Sequence, residues 1–324
     1  MEPRVGILTF GQDPHGHLVM KKIRERHGLW CCLIPTDEIA QRGGLTWSSS
    51  PAEPATLPTL DGTVDLRTLD ALWYRRTVAK QPLPEGVDPT YAAHVGRSTE
   101  GALDGLLDNA FRGRWVSHPL ATRRAENKLV QLQAAQRVGL RIPATLVSQD
   151  PERIRTFCGA HPGAVLKPLA SPQGTEIAAT ARVGQALLER DDVLSVAPTI
   201  YQECIEGERH LRISVVGDRC EAALIEAEAL DWRMDLTVPF SAFALDRALE
   251  DQLRAVLREL GLAMGILDLK LTDDGPVFLE VNAQGQFLFV EALCGLPLAD
   301  TVADFLAAQA LQDWQVRRPL SASA

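Results

Sequence analysis

Two acidic residues and an asparagine near the C-terminal end of the chain have the spacing expected of a metal-binding hairpin. Within residues 264–283, Asp273-Asp274-Gly275 is predicted to form the turn between two strands, which places Asp268 opposite Glu280. Because side chains alternate between the two faces of a strand, Asn282 shares a face with both acids. Facing carboxylates repel each other unless a cation lies between them. Hard oxygen ligands on one face suit Mg²⁺, which commonly shares its coordination with substrate phosphates.

The alternative interpretation of this hairpin is a solvated polar face on which Lys270 neutralises the acids. In either case the opposite face must be buried. The predicted core face carries the alternating apolar residues Leu267, Leu269, Leu271, Val277, Leu279 and Val281. The predicted polar face also carries Ile266 and Phe278.

The order of charged residues upstream of the hairpin favours the metal site. Lys128 falls in a predicted helix, Lys167 in a predicted strand, and Gln202-Glu203 at the end of another strand. This order, followed by an aspartate and a Glu-x-Asn motif, resembles that of the ATP-grasp ligases. The resemblance implies two α+β lobes that hold ATP between them.

The resemblance to ATP-grasp ligases also implies a role for each residue. Lys128 and Lys167 neutralise phosphates as compact point charges, and the polar loop at 171–175 closes over the phosphates with its backbone N–H groups. The Mg²⁺ ions, one or two in number, are held by Asp268, Glu280 and Asn282. The remaining nucleotide contacts are implied at Gln202, at Glu203 and the backbone of Cys204 and Ile205 for the adenine, at His210 or Glu208 for the ribose, and at Arg212 for the triphosphate.

A narrower resemblance depends on short motifs spread over nearly the whole chain, as far as about residue 311. These motifs are Leu72-Trp73-Tyr74-Arg75-Arg76, Asn127-Lys128, Gln202-Glu203, Asp231-Trp232-Arg233 and the segment from Phe278 to Gln286. Together they resemble the graspetide (microviridin-type) peptide macrocyclases. This family implies ATP-dependent activation of an Asp or Glu side chain of a ribosomally made precursor peptide as an acyl phosphate. Attack by a Ser/Thr hydroxyl or a Lys amine of the same peptide then closes an ω-ester or ω-amide ring.

The macrocyclase resemblance implies that Asp231 and Arg233 face the peptide. An arginine can hold a carboxylate or an acyl phosphate through two hydrogen bonds. Asp231 can orient or deprotonate the attacking group, or it can fix Arg233 in place. The alternative is an ordinary surface ion pair. The neighbouring residues Arg75 and Arg76 either line the cleft or pair with nearby acids.

The same family implies a surface that binds the leader segment of the precursor peptide. The corresponding residues here are Asp191 and Asp192, two adjacent acids at a helix end that could pair with an arginine of a leader helix. The alternative is a solvated polar face. A homodimer is expected by the same analogy.

Two other functions are compatible with the order of motifs. One is an ATP-grasp ligase that adds a free amino acid to a carboxylate, as the glutamate ligases do; the tryptophan- and arginine-containing motifs favour the macrocyclase over it. The other is a degenerate nucleotide-binding module that serves as a regulator or peptide-binding scaffold. The intact lysines and the intact acid–asparagine set argue against this second alternative.

The first part of the chain reads as an open α/β domain that precedes the ATP-binding lobes. Short apolar strands are predicted at 5–10, 29–34, 69–74 and 115–117, helices at 17–27 and 90–112, and a long loop at 42–63. Such alternation predicts an open sheet with helices packed on it. The predicted first domain covers residues 1–118.

The remainder of the chain supplies a central lobe and an antiparallel C-terminal lobe, predicted to cover residues 119–205 and 206–324. In the central lobe we predict helices over 122–138 and 185–192, a short helix opening at Asp150-Pro151, and strands at 164–169 and 199–205. In the C-terminal lobe, Gly217-Asp218 is predicted to be a two-residue hairpin turn. Helices are predicted there at 246–260 and near 298–311.

Composition excludes several classes of protein. The chain has 324 residues and a net charge of −9, so it is not expected to bind nucleic acid, because neutralising phosphates needs surplus Lys and Arg. No apolar run approaches the length of a membrane span, and the N-terminus does not read as a signal peptide. The six cysteines form no Cys-x-x-Cys pair and are expected to be free thiols in a cytoplasmic enzyme.

Overall fold

The fold is described from a computed structural model that covers residues 2–77, 82–169 and 180–317. The predicted polar loop at 171–175 therefore lies outside the described residues. Within these ranges, no helix is both long and apolar enough to cross a membrane.

The N-terminal part contains a parallel sheet with the strand order β2-β1-β5-β6. A buried Asp13 caps the first helix by accepting a hydrogen bond from the backbone N–H of His15. The elements are β1 (Arg4–Thr9), α1 (Pro14–His27), β2 (Trp30–Pro35), α2 (Ile39–Arg42), β3 (Thr56–Thr59), β4 (Gly62–Asp65), β5 (Ala71–Tyr74), α3 (Ala92–Ala110) and β6 (Arg114–Val116).

The two faces of this sheet bury different sets of side chains. Val5 and Ile7 point to the side covered by α1, whereas Leu8 points to the side covered by α3. The adjacent residues Cys31 and Cys32 are divided between the same two sides. Both faces are therefore covered, as expected for a parallel sheet.

The long loop predicted at 42–63 is partly wrong, because β3 and β4 form an antiparallel hairpin there. Leu57 and Val64 face each other across the hairpin and are both buried. The flanking prolines, glycines and threonines hid this short apolar alternation, and packing against the main sheet stabilises it.

The central part contains an antiparallel sheet with the strand order β7-β10-β8-β9. Its elements are α4 (Pro119–Ala125), α5 (Lys128–Arg137), β7 (Thr145–Ser148), α6 (Pro151–Ala160), β8 (Val165–Lys167), β9 (Ala181–Arg182), α7 (Gln185–Leu188), α8 (Asp191–Leu194) and β10 (Thr199–Gln202). The predicted helix at 185–192 is thus two short helices.

The single helix predicted over 122–138 is wrong, because the chain breaks between α4 and α5. The side chain of Asn127 accepts hydrogen bonds from the backbone N–H groups of Leu129, at 2.9 Å, and Val130, at 3.3 Å. This N-cap starts a new helix at Lys128. Lys128 therefore lies at the exposed beginning of a helix, from which its side chain can reach the cleft.

The C-terminal part contains an antiparallel sheet with the strand order β13-β12-β11-β14-β15. The predicted turn at Gly217-Asp218 is confirmed, because Val216 pairs with Arg219. The predicted helix at 246–260 is confirmed as well, with its apolar face buried. The elements are β11 (Arg209–Val216), β12 (Arg219–Glu226), β13 (Phe240–Phe243), α9 (Arg247–Leu260), β14 (Met264–Thr272), β15 (Gly275–Asn282), α10 (Leu288–Cys294) and α11 (Leu298–Arg317).

The β14–β15 hairpin has the predicted pairing of Asp268 with Glu280 but a different register at its tip. Thr272 pairs with Gly275, so the turn has two residues rather than three. A β-bulge at Leu279 then adds one residue to β15 and restores the predicted register at the acids.

The shorter turn and the bulge together place three residues on faces opposite to those predicted. Phe278 pairs with Leu269 and is fully buried in the core, not on the polar face. Leu279 lines the cleft instead of the core. Val277 pairs with Lys270 and so shares the face of that lysine.

The last helix returns to the N-terminal sheet. Helix α11 packs against α1 and β5, and its residues Val302 and Leu306 are buried in the same apolar cluster as Ile7 and Trp73. The C-terminal helix thus completes the cover of a sheet whose strands come from the beginning of the chain.

Candidate active site

Most of the predicted site residues surround a cavity of about 320 Å³ that lies between the central and C-terminal sheets. Strand β8 brings Lys167, the end of β10 brings Gln202, and α5 brings Lys128. The hairpin β14–β15 contributes the acids. The cavity is lined by Lys128, Lys167, Gln202, Glu203, Cys204, Ile205, His210, Asp231, Arg233, Asp268, Lys270, Glu280 and Asn282.

The paired acids are held by different cations. Arg212 donates from Nη1 to both carboxylate oxygens of Asp268, at 2.8 and 2.9 Å. Glu280 forms an ion pair with Lys128, and Nη1 of Arg233 lies 3.8 Å from its Oε1 atom. Asn282 bridges the two acids, because Nδ2 donates to Asp268 Oδ2 at 3.0 Å and to Glu280 Oε1 at 3.4 Å.

The electrostatic environments of the two acids differ. Burial raises the pKa of Asp268, and the nearby carboxylate of Glu280 raises it further against the opposing effect of Arg212. Burial also acts to raise the pKa of Glu280, but Lys128 and other cations outweigh this effect and hold it well below its usual value.

The donor set fits a magnesium ion. Two carboxylates and one amide supply hard oxygens, and the Asn282 amide lies between both acids, where a cation would neutralise them. Rotation of that amide presents its oxygen in place of its nitrogen, because the two ends have the same shape. In the described residues no group of three or more His, Cys, Asp and Glu converges. The fit therefore depends on the asparagine as well as on the acids.

Cations gather around Glu280 on the phosphate-binding side predicted from the sequence. Burial lowers the pKa of Lys167, and the positive charges of Lys128 and Arg233 lower it further. Lys167 donates to Gln202 Oε1 at 2.9 Å. Three cations close to one carboxylate form a site that can accept additional negative charge.

Glu203 ties the end of β10 to the start of β7. Its backbone N–H donates to the carbonyl of Ala144 at 2.9 Å, and its carboxylate accepts from the N–H of Ala144 at 3.0 Å. The carboxylate predicted to meet the adenine therefore already has a backbone partner. The segment that follows, with Cys204 and Ile205, lines the cavity.

Of the two residues predicted for the ribose, only His210 lines the cavity. Its Nε2 atom lies 3.0 Å from Nζ of Lys270. Burial and the charge of Lys270 lower the pKa of His210 to about 4, so the imidazole is neutral at pH 7. Glu208 is exposed and lies outside the cavity lining.

Asp231 holds Arg233 in a fixed orientation. Nε and Nη2 of Arg233 donate to the two oxygens of Asp231, at 2.7 and 2.6 Å, and its backbone N–H also donates to Oδ1. The guanidinium lowers the pKa of Asp231 against the effect of burial. Of the roles predicted for Asp231, the geometry supports fixing Arg233.

Three other residues predicted for binding lie outside the lining of this cavity. Arg212, predicted to reach the triphosphate, lies behind Asp268, and its Nη2 donates to the carbonyl of Gln286 at 3.1 Å. Asp191 and Asp192 begin α8, where they are exposed and form ion pairs with Arg155 and Arg190, respectively.

A second cavity of about 1110 Å³ adjoins the first and shares Lys128, Arg233 and Asn282 with it. Its other wall comes from the N-terminal part of the chain and includes Phe10 and Arg76. Of the two alternatives that the sequence left open for Arg76, lining the cleft is correct, whereas no motif pointed to Phe10.

Arg75 belongs to a buried network that joins the N-terminal sheet to the segment after Asn282. Its Nε donates to Asp13 at 3.0 Å, and its Nη1 donates to the carbonyls of Gln284, at 3.1 Å, and Gly285, at 3.0 Å. His15 accepts through Nε2 from the backbone N–H of Phe287 at 3.1 Å. Of the two sequence alternatives for Arg75, pairing with an acid is correct.

The architecture and the site are those of a carboxylate ligase that uses ATP. Comparison with known proteins finds relatives of the same class. No family model matches the chain. A relative from Xanthomonas campestris pv. campestris (strain 8004), described as a probable α-L-glutamate ligase, is 31% identical over 233 residues, 68% of this chain and 78% of that protein. A relative of the same description from Hahella chejuensis is 29% identical over 59% of this chain and 66% of that protein.

Solved structures agree over nearly the whole chain. The macrocyclase MdnC from Microcystis aeruginosa MRC, bound with precursor peptide MdnA, has a TM-score of 0.85 and 27% identity, covering 94% of this chain and 99% of that one. A RiPP-associated ATP-grasp ligase from Chryseobacterium gregarium, in complex with ADP and a leader and core peptide, has a TM-score of 0.83 and 25% identity, covering 95% and 97%. The chain belongs to the ADP-forming ATP-grasp ligases, and its resemblance to the peptide macrocyclases is confirmed.

Proposed function

We propose that this ligase is a peptide macrocyclase that joins side chains of a ribosomally made precursor peptide. The observation that carries the proposal is the pair of adjoining cavities that share Lys128, Arg233 and Asn282. The smaller cavity has the lysines and acids needed for ATP. The larger cavity has room for an extended peptide, whose carboxylate would reach the shared wall.

In the smaller cavity, Lys128 and Lys167 bind the phosphates of ATP, the segment from Gln202 to Ile205 contacts the adenine, and His210 contacts the ribose. Asp268, Glu280 and Asn282 would hold one or two Mg²⁺ ions, which when bound would screen the negative charge of the polyphosphate. When ATP binds, Lys128 and Arg233 exchange part of their interaction with Glu280 for an interaction with the phosphates.

The reaction has two steps. A carboxylate oxygen of the peptide attacks the γ-phosphorus, the bond from that phosphorus to the ADP oxygen breaks, and an acyl phosphate forms. A Ser/Thr hydroxyl or a Lys amine of the same peptide then attacks the acyl carbon, phosphate leaves, and the nucleophile loses its proton. Arg233, held by Asp231, binds the carboxylate and then the acyl phosphate through two donors.

Arg233→Ala should abolish ring formation more than ATP binding. The guanidinium lies at the wall shared by both cavities, so its loss removes a contact to the reacting group while leaving the two lysines. We expect kcat for ring formation to fall about a hundredfold, with the Kd for ATP changed only a few-fold. Equal losses in both would place Arg233 at the nucleotide alone.

The product mass tests the proposal directly. Candidate precursor peptides encoded beside the gene are incubated with ATP and Mg²⁺, and the products are weighed. Each ring formed should remove the mass of one water. Repeated gain of one amino-acid residue would instead establish a free amino acid as the acceptor.

That second outcome corresponds to an amino-acid ligase, which remains the alternative function. It is favoured by the relatives described as probable α-L-glutamate ligases. Adding glutamate to the assay without any peptide nucleophile distinguishes the two, because only an amino-acid ligase would consume it.

We further propose that Asp191 and Asp192 at the start of α8 bind the leader. Their partners Arg155 and Arg190 are exposed, so a leader arginine can compete for the carboxylates. Asp191→Lys/Asp192→Lys should weaken leader binding at least about tenfold, measured by fluorescence titration. Unchanged affinity would remove this surface from the proposal. Asp108→Lys/Asp218→Lys serves as the control with the same charge change.

The remaining proposals concern organisation. We propose three units, residues 1–118, 119–205 and 206–324, and a homodimer, which light scattering would test. We also propose a cytoplasmic location, because the enzyme uses ATP and its six cysteines are free thiols.

A further inference from the structure

Arg76 differs from the other cations that line the larger cavity. Lys128 is paired with Glu280, Arg212 with Asp268, and Arg233 with Asp231. Arg76 lines the same cavity, yet within the described part of the chain its guanidinium has neither an ion-pair partner nor a hydrogen-bond acceptor.

The backbone of Arg76 is anchored although its side chain is not paired. Its N–H donates to the carbonyl of Leu8 at 3.2 Å, and its carbonyl accepts from Oγ1 of Thr36 at 3.2 Å. The guanidinium carbon lies 6.0 Å from the ring centroid of Phe10, which also lines the cavity. A fixed backbone and an aromatic neighbour limit where this charge can point.

The charge of the cavity wall favours an acidic occupant. Four cationic side chains line it, against the single carboxylate of Glu126 among the described residues. Lys128 and Arg233, which line both cavities, already form ion pairs with Glu280 and Asp231 and are proposed to contact the reacting group. Arg76 lines the larger cavity but not the smaller one, so a carboxylate bound to it lies outside the proposed ATP site and is not the one being activated.

We propose that the larger cavity binds a peptide segment with at least two carboxylates, and that Arg76 binds the carboxylate that is not undergoing activation. This inference depends on the proposed peptide substrate and adds a specificity-determining residue to it. Arg76 thereby sets which of several acidic side chains reaches Arg233. Its donors pair with a carboxylate in the fork geometry that arginine favours.

The test uses short fluorescein-labelled peptides of Thr and Ser with two glutamates, and their matched versions with one glutamate replaced by Gln. Binding is measured by anisotropy in the presence of ADP and Mg²⁺. The wild-type protein should bind the peptide with two glutamates about tenfold more tightly than either version with one. Arg76→Ala should reduce this ratio to about one, and Arg76→Lys should restore part of it.

Arg97→Ala is the matched control, because Arg97 is exposed on α3 and lines neither cavity. It should retain the tenfold ratio. A tenfold ratio that persists in Arg76→Ala would overturn the inference, as would a wild-type protein that does not distinguish the peptides.

Failure of this inference can be separated from failure of the proposed function. If Arg76→Ala leaves the binding ratio unchanged but the wild-type protein still removes water from a precursor, the role of Arg76 is refuted and the macrocyclase function is supported. If Arg76→Ala abolishes the binding ratio but the enzyme adds free amino acids and forms no ring, the role of Arg76 is supported and the macrocyclase function is refuted.

Discussion

Glu280→Gln is expected to reduce ATP turnover by about a thousandfold, equivalent to several kcal/mol of transition-state stabilisation. The substitution keeps the shape of the side chain but removes the negative charge that Lys128, Lys167 and Arg233 surround. It also removes one of two carboxylates in the proposed magnesium site. The measurement is ADP release in a coupled assay.

Asp268→Asn should produce a similar loss, and circular dichroism should show an intact fold in both variants. Asp273→Asn is the control on the same hairpin, because Asp273 lies at the exposed tip and pairs only with Arg209 among the described residues. It should retain normal turnover. Retention of turnover in both Glu280→Gln and Asp268→Asn would refute the metal assignment.

Arg75→Met is expected to lower the free energy of unfolding by about 3–5 kcal/mol, because it removes one partner of a buried ion pair. Arg75 is 2% exposed and Asp13 is 1% exposed. The variant leaves the Asp13 carboxylate without its cation and the carbonyls of Gln284 and Gly285 without their donor. Urea denaturation followed by tryptophan fluorescence measures the change.

The neighbouring substitution Arg76→Met provides the control, since that side chain has no described ion pair. It should change stability by less than about 1 kcal/mol. Equal losses in the two variants would show that the Arg75 network contributes no more than a surface residue. A selective loss would establish that the N-terminal part stabilises the segment following Asn282.

The alternation of residues predicted the pairing of the acids in the β14–β15 hairpin correctly, partly because two deviations from the predicted register cancel each other. The symmetric pairing about residue 274 placed Asp268 opposite Glu280, and the structure agrees. The turn is one residue shorter than predicted, and the bulge at Leu279 restores the register. Alternation alone cannot detect a bulge, so it placed Phe278 and Leu279 on the wrong faces.

Contacts between distant parts of the chain were beyond the reach of sequence patterns. Arg75 donates to Gln284 across 209 positions, and no local periodicity connects them. The motif containing Arg75 and Arg76 singled out both residues without separating their roles. The structure separates them, because one side chain is enclosed by hydrogen-bond partners and the other faces a cavity.

The return of helix α11 to the first sheet affects how this protein is made. Ribosomes extend a chain from its N-terminus, and early domains commonly fold before later ones emerge. Here Ile7 and Trp73 share an apolar cluster with Leu306, so α1 alone covers only part of that side of the early sheet until the last helix has been synthesised. The apolar surface that α11 will cover must therefore be protected from aggregation for most of the translation of the chain.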